Sequence, residues 1–224
     1  LTSDWPVCVD ILLRSEYSIP NPRYEERLVA RARKLRAGGK IPVIVDCGAN
    51  IGISAIWFAN HFPEATVVAV EPEPANHELL LRNTADFPNI VAIRAAVSDH
   101  HGRVSLTNDG GEAWGWATRE AADGEVETMT VSDLLARVPD GAPLIVKIDI
   151  EGGEVDLFRS ATEWTRETPL IVFEDHDWML PGSGTFAAVM KHLVAEPRDY
   201  FRRGENTFAF SHTLLEPTDR GVRS

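Results

Sequence analysis

The segment Val45-Asp46-Cys47-Gly48-Ala49-Asn50-Ile51-Gly52 places an acidic residue just ahead of two spaced glycines, at the end of an apolar run. Gly48 lets the backbone turn and lets a ligand come close where a Cβ would otherwise stand. Gly52 lets a helix begin near the strand. A loop built for a pyrophosphate reads G-x-G-x-x-G. Here the spacing is G-x-x-x-G, and Asp46 would oppose a pyrophosphate. It suits a ligand with a positively charged amino or sulfonium group, such as S-adenosylmethionine. Glu71, at the end of the next apolar run and just before Pro72, can accept hydrogen bonds from both hydroxyls of a ribose. Ser98 and Asp99 end the third run and fall near an adenine, although Ser-Asp is also ordinary turn chemistry. Asp46, Gly48, Gly52 and Glu71 together favour a cofactor site over a plain strand-loop-helix turn.

The second group is Leu144-Ile145-Val146-Lys147-Ile148-Asp149-Ile150-Glu151-Gly152-Gly153-Glu154. A central parallel strand should be apolar on both faces, and Lys147 and Asp149 break that expectation. Alternation puts Lys147, Asp149 and Glu151 on one side if the strand runs that far. A buried lysine needs a partner, so Asp149 or a nearby carboxylate must supply one. Either this is a structural ion pair closing the strand, or these residues face the cleft shared with Gly48 and Glu71; the second reading is favoured. A further set follows the fifth apolar run: Glu174-Asp175-His176-Asp177. His176 is the natural general base by its intrinsic pKa, with Asp149 and Glu151 as carboxylate alternatives for taking a proton from an acceptor. Glu174 is also a candidate for holding that acceptor. The same carboxylates allow a less favoured arrangement, Mg2+ held by Asp149, Glu174 and Asp175. Trp114 and Trp116, on an expected loop, either stack on an acceptor or pack over the sheet edge. Trp178 either walls the acceptor pocket or belongs to the core. His100 and His101 read as turn residues.

The elements that must position these groups follow from the pattern. Apolar, β-branched runs at Ile41–Val45, Thr66–Val70, Ile90–Val97, Leu144–Ile150 and Leu170–Phe173 read as buried strands. Helical stretches lie at Ile53–Phe62, Ala75–Asp86, Val131–Arg137, Glu154–Ala161 and Phe186–Ala195. Strand alternating with helix predicts an α/β, doubly wound, mostly parallel sheet. Gly102–Met129 reads as a β-rich insertion after the third strand. Tyr200–Arg203 and Thr207–Phe210 flank Gly204-Glu205-Asn206 as a hairpin, which suggests an antiparallel edge strand. A helical lead-in over 1–40, with a charged helix at Tyr24–Arg36, precedes a cofactor-binding domain over 41–212 and a tail over 213–224.

Composition limits the partners. The 224 residues are 44% hydrophobic and carry a formal net charge of -12. An acidic chain is a poor binder of phosphate backbones, so no nucleic-acid partner is expected. The basic cluster Arg31, Arg33, Lys34 and Arg36 reads as the solvated face of a helix. No apolar run reaches membrane-spanning length, and the opening residues show no signal-peptide pattern. The two cysteines, Cys8 and Cys47, fit a reducing compartment, and a cytoplasmic location is the expectation. A small-molecule substrate is expected; a homodimer is compatible with all of this.

The ordered segments V-D-C-G-A-N-I-G, A-V-E-P-E-P, A-V-S-D-H-H-G and V-K-I-D-I-E-G-G-E resemble the FkbM family of S-adenosylmethionine-dependent methyltransferases, over about Ile41 to Phe210. The resemblance implies a Rossmann-like class I methyltransferase fold with a seven-stranded sheet, and O-methylation of a sugar or polyketide-type natural product. It puts Asp46, Gly48, Asn50 and Glu71 on the cofactor site and Lys147, Asp149 and Glu151 near the methyl group. N-methylation of a small amine or amide, and a non-catalytic binding module on the same fold, are the competing readings.

Overall fold

The computed structural model describes residues 16–107, 117–121, 123–160, 162–177 and 181–215. Helix α1 (Pro22–Ala37) opens under the cap of Asn21, whose side chain accepts from the Arg23 N–H, with Pro22 at the first helical position. Tyr24, Leu28 and Ala32, one turn apart, form its buried stripe, and Gly38 ends it. The main alternation then runs β1 (Ile41–Cys47), α2 (Ile53–His61), β2 (Thr66–Val70), α3 (Pro74–Asn83) and β3 (Ile90–Ile93). A side sheet is built from β4 (Ala96–Val97), β5 (Arg103–Thr107), β6 (Ala117–Glu120) and β7 (Val126–Met129). The chain continues through α4 (Val131–Ala136), β8 (Gly141–Ile148), α5 (Glu154–Leu157), α6 (Trp164–Glu167), β9 (Leu170–Glu174), α7 (Thr185–Leu193), β10 (Arg198–Arg203) and β11 (Asn206–Ser211).

The seven-stranded sheet has the order β10-β11-β9-β8-β1-β2-β3. The pairs among β3, β2, β1, β8 and β9 are parallel, and the β10–β11 hairpin joins β9 antiparallel. One apolar layer lies under α1 and α2, around Leu28, Phe58 and Ile44; the other lies under α4 and α7, around Val45, Leu134 and Leu193. Covered on both faces, β1 and β8 must be apolar nearly throughout, which is why their runs were visible in the sequence.

Three elements differ from the sequence expectation. The run Ile90–Val97 is not one strand. It breaks after Ile93, and Ala96 and Val97 leave the main sheet to pair parallel with Thr128 and Met129 of the insertion. Strand β8 ends at Ile148 rather than Ile150, and Glu151 sits in a left-handed turn (φ 52°), so alternation does not carry that far. The helix beginning at Glu154 is a single turn, followed by the unanticipated α6. No helix among the described residues is long and apolar enough to cross a membrane.

The order in which strands are added reverses between β1 and β8, which makes their carboxyl ends the switch point of the sheet, where open α/β folds bind ligands. The parallel register sets Asp46 beside Lys147 there. Both are fully buried: Lys147 Nζ lies 3.1 Å from Asp46 Oδ1 and 3.3 Å from Asp149 Oδ2, and donates to the Gly48 carbonyl at 2.6 Å. The Tyr17 ring lies 5.9 Å from the ammonium. Burial works against this charge, but Asp46, with Tyr17 and Asp149, holds the pKa of Lys147 well above that of a free lysine. Removing one member of such a pair strands the other charge. Lys147→Met should therefore cost about 3 to 5 kcal/mol in urea unfolding. Pairing it with Asp46→Asn should recover part of the loss; no loss in the single variant would show that the pair does not tie these strands.

Candidate functional site

A cleft of about 590 Å³, counting its open mouth, lies at the carboxyl ends of β1, β2 and β8. That is the size range of small-molecule sites. Its lining includes Gly48, Asn50, Glu71, Asn76, Ala95–Val97 and Asp149 to Glu151.

The Gly48 loop forms one wall. Gly48 has φ 77°, and a Cβ there would lie 1.7 Å from the Asp149 carbonyl oxygen. Only glycine lets the two loops of the switch point run this close. Asn50 also takes left-handed backbone (φ 49°), which aims its N–H at Glu71 Oε2, 2.9 Å away. Glu71 Oε1 accepts from the Glu73 N–H at 3.0 Å. Glu71 is thus a carboxylate fixed by two backbone donors at the edge of the cleft and almost fully buried. Burial, only partly opposed by the Glu73 and Asn50 N–H groups, pushes its pKa up to about 7. Gly52 does not line the cleft. Its hydrogen faces Leu80, where a Cβ would lie 2.7 Å from Cδ1, so this glycine seats α2 against α3.

Asp46 does not reach the cleft either. It is 0% exposed, held by Lys147 and by the Ser54 hydroxyl at 2.6 Å. Lys147 is equally sealed. Asp46 was expected on the cofactor site and Lys147 near the methyl group; both lie behind the Gly48 loop instead. Ser98 lies one residue past the lining, its N–H bonded to the Met129 carbonyl. Asp99 is taken up by His100 Nδ1 and the Ser160 hydroxyl, each at 2.6 Å. His101 lies 3.4 Å from Asp133.

Next to Asp149 and Glu151 of the lining, the structure brings together residues far apart in the chain. His176, 1% exposed, sits just past β9, its backbone N–H bonded to Thr185 Oγ1. Its Nδ1 lies 3.0 Å from Glu154 Oε1, and Glu154 is completely buried. Its Nε2 faces Glu151 Oε2 at 3.6 Å, Asp149 Oδ1 at 3.7 Å and Glu174 Oε1 at 3.8 Å. Burial opposes charge on the imidazole, but the Glu154 bond and the Asp149 and Glu151 carboxylates raise its pKa to about 9. Burial, then Asp149, lifts Glu151 to about 7 and raises Glu174 as well. Asp175 points the other way, 3.3 Å from Arg202, and Asp177 caps α7 through the Thr185 N–H and hydroxyl. Asp149, Glu174 and Asp175 therefore do not converge, whereas Asp149, Glu151, Glu174 and His176 do. Trp114, Trp116 and Trp178 lie outside the described residues.

Glu154 was missed as a site residue. An acidic residue opening a helix reads as a partner of the helix dipole, and its one signal is that it closes the E-G-G-E segment. Asn76 and Ala95–Val97 gave no signal, since a small apolar wall looks like core.

The raised Glu71 carboxyl has a consequence for stability. Below about pH 4.5 it is protonated folded or unfolded. As pH rises toward 7 the unfolded carboxyl ionises freely while the buried one resists, so stability falls and the loss is complete above 7. His176 acts in the same direction at higher pH, its contribution fading through about 9. Urea midpoints should fall between about pH 5 and pH 7.5, and Glu71→Gln should reduce that fall by on the order of 3 kcal/mol. An identical pH dependence in the variant would show that Glu71 is not desolvated.

Residues 46–204 match the profile of the methyltransferase FkbM domain. Methyltransferase sdnD of Sordaria araneosa is 28% identical over 158 residues, 54% of this chain and 61% of that protein. Hexuronic acid methyltransferase AglP of Haloferax volcanii is 26% identical over 137 residues, 60% of this chain and 56% of that protein. 2-O-methyltransferase NoeI of Sinorhizobium fredii is 26% identical over 155 residues, 61% of this chain and 64% of that protein. The match spans less than two thirds of each of these relatives.

Proposed function

The chain belongs to the FkbM-domain methyltransferases, and from that premise we propose that it transfers the methyl group of S-adenosylmethionine to a hydroxyl of a small sugar or polyketide-type metabolite. The observation that carries this reading is the cleft itself. Its lining holds a fixed carboxylate, Glu71, the glycine loop, and Asp149 and Glu151, and the last two converge with Glu174 on His176 beside it.

The residues present fit the cofactor. Each Glu71 oxygen spends one lone pair on a backbone N–H and keeps another for a ribose hydroxyl. The Gly48–Asn50 loop would pass beneath the ligand where a Cβ is excluded, and Ala95–Val97 would offer the apolar wall an adenine needs. The sealed Asp46–Lys147 pair would hold the loop without touching the ligand. When bound, S-adenosylmethionine supplies a methyl group already activated for displacement by its sulfonium.

The chain's own task is then alignment and removal of one proton. Fixing the acceptor against the methyl group supplies roughly 7 to 11 kcal/mol of the barrier. Glu151, balanced near pH 7, is suited to take the acceptor's O–H proton. His176, with its pKa raised to about 9, holds its own proton at neutral pH and serves as the positive centre that keeps three carboxylates together. The base role expected of the histidine thus passes to the carboxylate beside it. Sugar hydroxyls fit an acceptor site walled by carboxylates, and NoeI and AglP are named for 2-O-methyl transfer and for a hexuronic acid; these substrates come to this chain as a proposal only.

Glu71→Ala should weaken S-adenosylmethionine binding, measured by calorimetry, by about 1 to 3 kcal/mol through lost charge-assisted hydrogen bonds. Unchanged affinity would mean that the ribose lies elsewhere. Asp149→Asn should lower single-turnover methyl transfer far more than cofactor affinity. Equal losses in both would reduce Asp149 to a structural partner of Lys147.

A further inference from the structure

The acidic wall has an imbalance that the methyl-transfer reading does not use. Glu154 reaches His176 Nδ1 from behind, which fixes that nitrogen as the proton-bearing one and points Nε2 forward. The His176 side chain is 2% exposed, yet among the described residues Nε2 has no hydrogen bond; it faces three carboxylate oxygens at 3.6 to 3.8 Å. A second anomaly lies behind it: Glu154 Oε2 is buried with no hydrogen-bond partner among the described residues. One imidazolium faces three carboxylates there, and a divalent cation taking the place of the Nε2 proton would bring a second positive charge to the same point. A buried carboxylate bonded to the far nitrogen of a histidine is also the arrangement that orients a metal-binding imidazole.

We propose that Asp149, Glu151 and His176 form a site for one divalent first-row transition cation. Their donor atoms lie within 4.8 Å of one another. Donors around one ion bound at roughly 2.1 Å stand about 3 to 4 Å apart, so small rotations of two partly exposed carboxylates close the site. Glu174 Oε1, 3.8 Å from Nε2, is within reach as a fourth ligand. One imidazole nitrogen among carboxylate oxygens suits Mn2+, Fe2+ or Zn2+, whereas Mg2+ prefers oxygen alone. The set also differs from the less favoured Asp149, Glu174 and Asp175 alternative raised by the sequence: Asp175 is drawn off to Arg202 and His176 takes its place. The consequence goes beyond general-base catalysis by Glu151. A cation on this wall would acidify a bound hydroxyl directly, and Glu151 would then act as its ligand.

The probe is Mn2+ alone, titrated into the full chain without cofactor or acceptor, with free Mn2+ read by its paramagnetic resonance signal. One Mn2+ should bind per chain and resist displacement by an equal concentration of Mg2+. His176→Gln should weaken binding at least 10-fold. Glu154→Gln, which removes only the orienting carboxylate, should weaken it about 10- to 100-fold. Glu151→Gln, at a partly exposed position, serves as a third variant should the buried ones fail to fold by circular dichroism. No uptake at millimolar Mn2+, or uptake unchanged in the folded variants, would overturn the site. Methyl transfer with Glu151 as base would stand in that event, since the titration involves neither cofactor nor acceptor.

Discussion

The buried ammonium of Lys147 is the constraint around which this end of the molecule is arranged. A lysine at the switch point of a parallel sheet has no water to serve it. It donates to the Gly48 carbonyl and is paired with Asp46 on the neighbouring strand and with Asp149 just past its own strand. These contacts join the ends of β1 and β8 and fix the first turn after each. Gly48 lies so close to Asp149 that the two loops form one surface. The cleft is the space that surface leaves against the end of β2, where Glu71 waits with its orientation already set by two backbone N–H groups.

Asp149 divides the charges into two parts. One oxygen belongs to the sealed side, where Lys147 and Asp46 neutralise each other away from solvent. The other belongs to the open side, where Asp149, Glu151 and Glu174 converge on a single imidazole backed by Glu154. The sealed side carries structure. The open side holds more negative charge than one imidazolium balances, and that surplus can take a proton or a cation. A group belonging to both parts lets the geometry of the loop and the electrostatics of the reacting end be set together.

The sheet was legible because strands buried on both faces must be apolar nearly throughout, and the runs at β1, β2, β8 and β9 are. Where packing between distant segments decides the outcome, the pattern fell short. Ile90–Val97 has uniform β character, but Ala96 and Val97 leave the main sheet only because Thr128 and Met129 offer another partner. Asp46 shows the same limit at the site. Its type and its place before Gly48 mark the loop, but the register against Lys147 turns it inward, and register is not visible along one chain. Glu174 and Asp175 are adjacent and chemically alike, yet a strand end points neighbours to opposite sides, one toward His176 and the other toward Arg202. Glu154 looked like a helix-opening acid because its partner lies 22 residues away.

A co-crystal structure with S-adenosylhomocysteine tests the central claim most directly. Both ribose hydroxyls should lie on the Glu71 carboxylate and the sulfur should face Asp149, Glu151 and His176, with Asp46 and Lys147 still sealed behind the Gly48 loop. A ribose bound away from Glu71, or a sulfur turned from the acidic wall, would contradict it.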